Sequence, residues 1–185
     1  MRTMNRMKTP AVRCTMKNDL LSLQDVLLLR EENRHTWCLL RGGETVILAE
    51  KPETVLNRFC LRSGSSLSGR IESFCELLQV RQKAAVLISE KSGHMFFPLN
   101  GMKQPGCIWV SYNDLFHFRS NGPDRTILIF TDGTRQEVEC NIRVIRKQAD
   151  RCEAYLNLLQ KEEVPDADAG RVMDLLQKNR DMAGK

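Results

Sequence analysis

With 185 residues, an apolar share of 42% and a charged share of 28%, the chain has the size and balance of one globular domain with short appendages, not of a disordered or fibrous protein. Its seven cysteines (Cys14, Cys38, Cys60, Cys75, Cys107, Cys140 and Cys152) form an odd set without close pairs, unlike the disulfide framework of a small secreted domain, and read as small apolar fillers in a reducing compartment. The net charge of +5 lies wholly in the first 17 residues, where five cations stand without an acid; the remainder carries 23 Lys and Arg against 23 Asp and Glu.

A polyanion site on the folded body must therefore be a local patch, because the body has no global positive field. The basic start, with Arg2, Arg6 and Lys8, is followed by no uninterrupted apolar run. The best candidate, 20–29, is split by Gln24 and Asp25, so it is not read as a signal segment. Nothing approaches the roughly 20 apolar residues of a membrane-spanning helix. Residues 1–17 are expected to form a basic disordered tail, and the protein is expected in the cytoplasm with no membrane partner.

After that tail, 25–30, 35–41 and 44–50 read as strands, the last two joined through Gly42-Gly43. Lys51-Pro52-Glu53 is a helix start, with proline in the first turn beside an acid. Val55, Leu56, Phe59 and Cys60 then recur at helical spacing, and Gly64 ends the helix. Ser65 or Ser66 caps a second helix, whose inward face holds Ile71, Phe74, Cys75 and Leu78. The segments 84–89 and 94–99 form a hairpin around Ser92-Gly93, and 107–112 and 115–119 are further strands. The sharpest local signal is 126–131, then Asp132-Gly133, then 134–139, which predicts a hairpin with a type I′ turn.

A long helix is predicted over 141–161, with Val144, Ala149, Cys152, Tyr155, Leu156 and Leu159 facing inward. Residues 162–170 read as a linker, and 171–182 as a short helix with Val172, Leu175 and Leu176 along one stripe. The expected fold is a single α+β domain over 18–161. It has a mostly antiparallel sheet built of hairpins, a helical pair in the middle and a long helix near the C-terminus.

Among chemical motifs, Gly64-Ser65-Ser66-Leu67-Ser68-Gly69-Arg70 has the glycine spacing of a nucleotide phosphate loop. Arg70 stands where that loop needs Lys, Ile71 where it needs a hydroxyl, and a helix precedes it instead of a strand. What remains is a helix start whose Ser hydroxyls and N–H groups, between Arg62 and Arg70, can hold an anion or simply cap the helix. His35, His94 and His117 are widely separated, and the cysteines lack metal-ligand spacing, so neither nucleophilic catalysis nor zinc has sequence support. No enzyme, cofactor or metal is expected. Arg143, Arg146, Lys147 and Arg151 form a second basic cluster along the long helix, and Arg81 and Lys83 lie in loop-like sequence.

Three blocks in fixed order carry a resemblance. The stretch from Arg58 to Arg70, Arg-Phe-Cys-Leu-Arg-Ser-Gly-Ser-Ser-Leu-Ser-Gly-Arg, resembles the C-x-x-x-G-S-S-x-x-G-R block of the ComK family of bacterial competence transcription factors. Phe97-Pro98, then Pro105, Cys107, Trp109 and Ser111, is similar to its F-P…P-x-C-x-W-x-S block, and Phe130-Thr131-Asp132-Gly133 to its strand-turn. Leu61, Ser63 and Leu67 depart from the family's usual basic or aromatic residues.

The resemblance implies an activator of DNA-uptake genes that reads A/T-rich sites largely through the minor groove. The partners it implies are double-stranded DNA, further copies of the chain, RNA polymerase and a proteolytic adaptor, with a place at the nucleoid. The residues expected at DNA are Arg58, Arg62, Ser65, Ser66, Arg70, Arg81 and Lys83. The rival reading is an interaction protein that keeps the fold and modulates a related activator without binding DNA specifically.

Overall fold

The chain is described here by a computed structural model covering residues 12–14, 21–102 and 104–162. The expected linker beyond residue 162, the helix over 171–182 and most of the expected tail lie outside the described residues. Within the segment expected as tail, Val12–Cys14 forms strand β1, paired in parallel with β4 (Thr45–Leu48).

The first buried strand, β2 (Val26–Glu32), opens with four consecutive buried apolar residues, Val26 to Leu29, instead of an alternation. A strand packed on both faces needs such a run. It pairs with β3 (His35–Leu40) on one side and β7 (Ile108–Ser111) on the other, both antiparallel. Between β3 and β4 the chain turns at Arg41–Gly43, where Gly42 and Gly43 take φ of 79° and 81°. A side chain at either φ would be strained, which accounts for the glycine pair. With β5 (Val86–Ser89) and β6 (His94–Pro98) these strands form a seven-stranded sheet of order β1-β4-β3-β2-β7-β6-β5.

The remaining hairpins form a separate three-stranded antiparallel sheet, β10-β9-β8, from β8 (Leu115–Ser120), β9 (Thr126–Phe130) and β10 (Arg135–Val138). Its β9–β10 turn is not type I′. Phe130 C=O accepts from Gly133 N–H at 2.9 Å, Asp132 keeps a negative φ, and Gly133 alone is left-handed at 84°. This is a type I turn closed by a glycine bulge. The Asp132 carboxylate explains the choice: it accepts from Thr134 N–H at 2.9 Å and from Gly42 N–H at 2.7 Å, fixing its own backbone.

Helices α1 (Pro52–Arg62) and α2 (Leu67–Leu78) follow the sequence reading closely. Pro52 starts α1, and Val55, Leu56, Phe59 and Cys60 are buried. They pack on the large sheet against Leu29, Val46, Leu48, Phe96 and Trp109. The opposite face of that sheet, with Leu28, Phe97 and Val110, meets Phe74 of α2, the inner face of the small sheet and α3 (Ile142–Glu162). The inward stripe of α3 is rotated from the expected one. Ile145, Gln148, Cys152 and Tyr155 are buried, while Val144, Ala149, Leu156 and Leu159 are half-buried.

Burial pushes the thiols of Cys38 and Cys107 up to about 12 and that of Cys60 to about 11, so these cysteines act as neutral apolar fillers. Among the described residues no helix is long and apolar enough to cross a membrane, and no cluster of His, Cys, Asp or Glu suits a metal.

Candidate nucleic-acid interface

The two ends of α2, about 18 Å apart at 1.5 Å per residue, carry the residues singled out from sequence. At its start the Ser/Gly block performs structural work. Gly64, at φ 83°, closes α1: Ser65 N–H donates to Cys60 C=O at 3.1 Å and Gly64 N–H to Leu61 C=O at 3.1 Å, the two bonds of a Schellman stop. Ser66 then caps α2, its hydroxyl accepting from Gly69 N–H at 3.1 Å, and Asn57 Oδ1 accepts from Leu67 N–H at 2.9 Å. Two of the helix-start donors that an anion would use, the N–H groups of Leu67 and Gly69, are thus occupied by side chains of the chain itself.

The cations of this block are placed differently from one another. Arg58 pairs with Glu50, and Arg70 with Glu90 on the β5–β6 turn. Arg70 is only 11% exposed in its side chain, and its Nε is buried with no hydrogen-bond partner among the described residues. Arg62 is exposed at the end of α1, beside Leu61, which is 60% exposed. Ser65 and Ser66 are half-buried.

At the far end of α2 the chain leaves the helix through Gln79, a left-handed C-cap at φ 51°, and enters β5 past Lys83, left-handed at φ 54°. Between these points the loop lies beside α3 and forms an open cleft of about 520 Å³. Gln79, Val80, Arg81, Gln82 and Lys83 line one wall, and Val144, Lys147, Gln148 and Arg151 the other. Among the described residues, four cations line this cleft and no acid does. Arg81 and Lys147 are exposed. Lys83 donates from Nζ to Leu99 C=O at 2.7 Å, and Arg151 donates from Nη1 to Gln148 Oε1 at 3.0 Å. Further along the same helix, Arg143 and Arg146 are exposed.

Gln148, 2% exposed, holds the two walls together. Its Nε2 donates to Lys83 C=O and to Pro98 C=O, each at 2.9 Å, while its Oε1 accepts from Arg151. All the amide's donors are used, so a buried polar group is satisfied and the loop is fixed on the helix.

Of the residues expected at DNA, the fold brings Arg81 and Lys83 together with Lys147 and Arg151. It leaves Arg58, Arg62, Ser65, Ser66 and Arg70 at the other end of α2. Gln148 went unnoticed in the sequence, although its spacing of three from Ile145 and four to Cys152 puts it on the buried stripe.

The family model described as ComK protein matches residues 21–163, more than half of the chain. The chain is also similar to a competence transcription factor of Bacillus subtilis (strain 168), at 25% identity over 101 residues. That match covers 55% of this chain and 53% of the relative, so the chain spans about half the length of the curated relative it matches. No solved structure matches it.

Proposed function

The chain belongs to the ComK protein family, and from that premise we propose that it is a DNA-binding transcriptional regulator of competence genes, not an enzyme. The observation that carries this reading is the cleft between residues 79–83 and α3, where Arg81, Lys83, Lys147 and Arg151 meet with no acid among the described residues. On a body with equal numbers of cations and acids, such a segregated patch supplies the local field that attracts a phosphate backbone.

Arg81 and Lys147, exposed on facing walls, contact phosphates, and Arg62, exposed at the other end of α2, adds a secondary contact. Phosphate contacts position a protein but carry no base information. Preference for A/T-rich sites then comes from the narrow, strongly negative minor groove of A-tracts, which arginine side chains enter with few base-specific bonds. Further copies of the chain on one site, RNA polymerase and a proteolytic adaptor are the protein partners of this reading, and the nucleoid its place in the cell.

Fluorescence anisotropy with A-tract and G·C-rich duplexes across a salt series tests it. The folded chain is expected to prefer the A-tract and to weaken steeply with salt. Arg81→Glu with Lys147→Glu is expected to lower affinity at least tenfold and to flatten the salt slope by about 0.9 for each phosphate no longer neutralised. A folded chain that binds neither duplex at low salt sinks the reading. Equal binding to both duplexes reduces it to unspecific attraction, and repeating the series without residues 1–11, which spares strand β1, shows how much of that the basic start supplies.

A further inference from the structure

Phe116 is 75% exposed, the most exposed large apolar side chain among the described residues. It is the extra residue of a β-bulge: Leu115 pairs with Phe130 and His117 with Ile129, leaving Phe116 unpaired between them. Bulges re-aim a side chain and blunt an edge strand against pairing with another chain. The register places two rows on the outer face of the small sheet, Arg135–Ile129–His117 and Glu137–Ile127–Arg119. The inner face, with Leu128, Phe130 and Val138, is already packed on the core.

Ile127 and Ile129 remain half-buried at the centre of the outer face, while His117, Arg119, Arg135 and Glu137 are exposed around them. The acid there is engaged: Glu137 accepts from Asn121 and pairs with Arg125 at 3.5 Å. Arg119 and Arg135 form no ion pair among the described residues. The face is therefore an apolar centre with a protruding aromatic and two arginines not matched by an acid. Its charge complements a polyanion better than a second copy of itself, which would set the same arginines near one another.

We infer that the outer face of the β8–β10 sheet is a second DNA surface, on which Phe116 wedges between base steps while Arg119 and Arg135 hold the flanking phosphates. Apolar side chains inserted from the minor groove partly unstack a step, and flexible TA steps yield most readily. The inference rests on the DNA-binding reading above but uses different residues, so it can fail while that reading stands. Because Phe116 is solvent-exposed, its replacement leaves the core untouched.

The test uses an A/T-rich duplex with 2-aminopurine at a central TA step, whose fluorescence rises on unstacking. The full chain is expected to bind and brighten the probe. Phe116→Ala is expected to lose most of that rise and about tenfold in affinity, with an unchanged melting temperature. Phe116→Leu, which keeps an apolar wedge, is expected to restore much of both. Arg81→Glu with Lys147→Glu is expected to lower affinity yet still brighten the probe at saturation. If Phe116→Ala binds and brightens the probe like the unaltered chain, the wedge is wrong and DNA binding stands. If light scattering shows that Phe116→Ala loses self-association while the probe still brightens, the face joins copies of the chain and the inference is overturned. If the unaltered chain binds no duplex, both readings fall.

Discussion

Gln148 shows how much one polar side chain can decide. It is buried on α3, satisfies the carbonyls of Lys83 in the loop and Pro98 at the end of β6, and orients Arg151. Gln148→Leu keeps the volume but strands the carbonyls of Lys83 and Pro98, at a cost of about 1–3 kcal/mol. The expected outcome is a lower urea midpoint together with weaker duplex binding, since the 79–83 loop loses its tie to α3. Weaker folding with unaltered affinity of the folded fraction would show that the loop holds its shape without the glutamine. By contrast, the neutral thiols of Cys38, Cys60 and Cys107 contribute volume and no chemistry.

Among the elements, α2 links the two regions singled out from sequence, with its cap at one end and the cleft at the other. Its start rests on Ser66, whose hydroxyl accepts from Gly69 N–H. Ser66→Ala is expected to destabilise the protein by about 1 kcal/mol, the usual worth of such a cap, measured as a shift in chemical denaturation. A much larger loss of DNA affinity than of stability would instead return the Ser/Gly block to a direct contact role. The other end of α2 combines two non-glycine residues in left-handed conformation, Gln79 and Lys83. Such conformations cost free energy and persist where surrounding contacts over-determine them, and both of these residues line the cation cleft.

Across the whole molecule, the two sheets are clasped at the Arg41–Gly43 turn. Arg41 pairs with buried Asp114 and donates from Nη1 to Thr131 Oγ1 at 3.3 Å, Gly42 N–H reaches Asp132, and Thr131 N–H donates to Asp114 C=O at 2.8 Å. His94 lies in this clasp, 7% exposed, with Nε2 4.0 Å from Asp114 Oδ2. Burial holds its imidazole below the ordinary 6.5, opposed by Asp114 and reinforced by Arg41. Above about pH 6.5 the imidazole is neutral in both folded and unfolded chains; below it the unfolded chain gains a proton that the folded chain refuses. Stability is therefore expected to fall as pH drops through about 6.5, and to level off below the depressed value. Denaturation midpoints measured from pH 8 to 5 check this, and His94→Gln is expected to flatten the curve in that window. An unaltered slope in the variant would move the effect to other groups. The Asp132 carboxyl works in a separate window. Burial raises it, but hydrogen bonds from Gly42 and Thr134 and the charge of Arg41 bring it below 3.8 overall, so its contribution is lost only in stronger acid.

The sequence by itself determined nearly every element, because apolar periodicity, Pro52, the Ser66 cap and the Gly42, Gly64 and Gly133 stops are local signals read within a few residues. It also carried the family, through three collinear blocks, and marked Arg81 and Lys83 as loop cations. Only the tertiary structure decided that the hairpins divide into two sheets, that α3 buries Gln148, and that Arg81 and Lys83 face Lys147 and Arg151 across one cleft. Those residues are more than 60 positions apart in the chain, and no local pattern records which distant surfaces packing brings together. The rotation of α3 follows from the same cause: a half-apolar helix fits several faces by periodicity, and the partners that satisfy Gln148 select one.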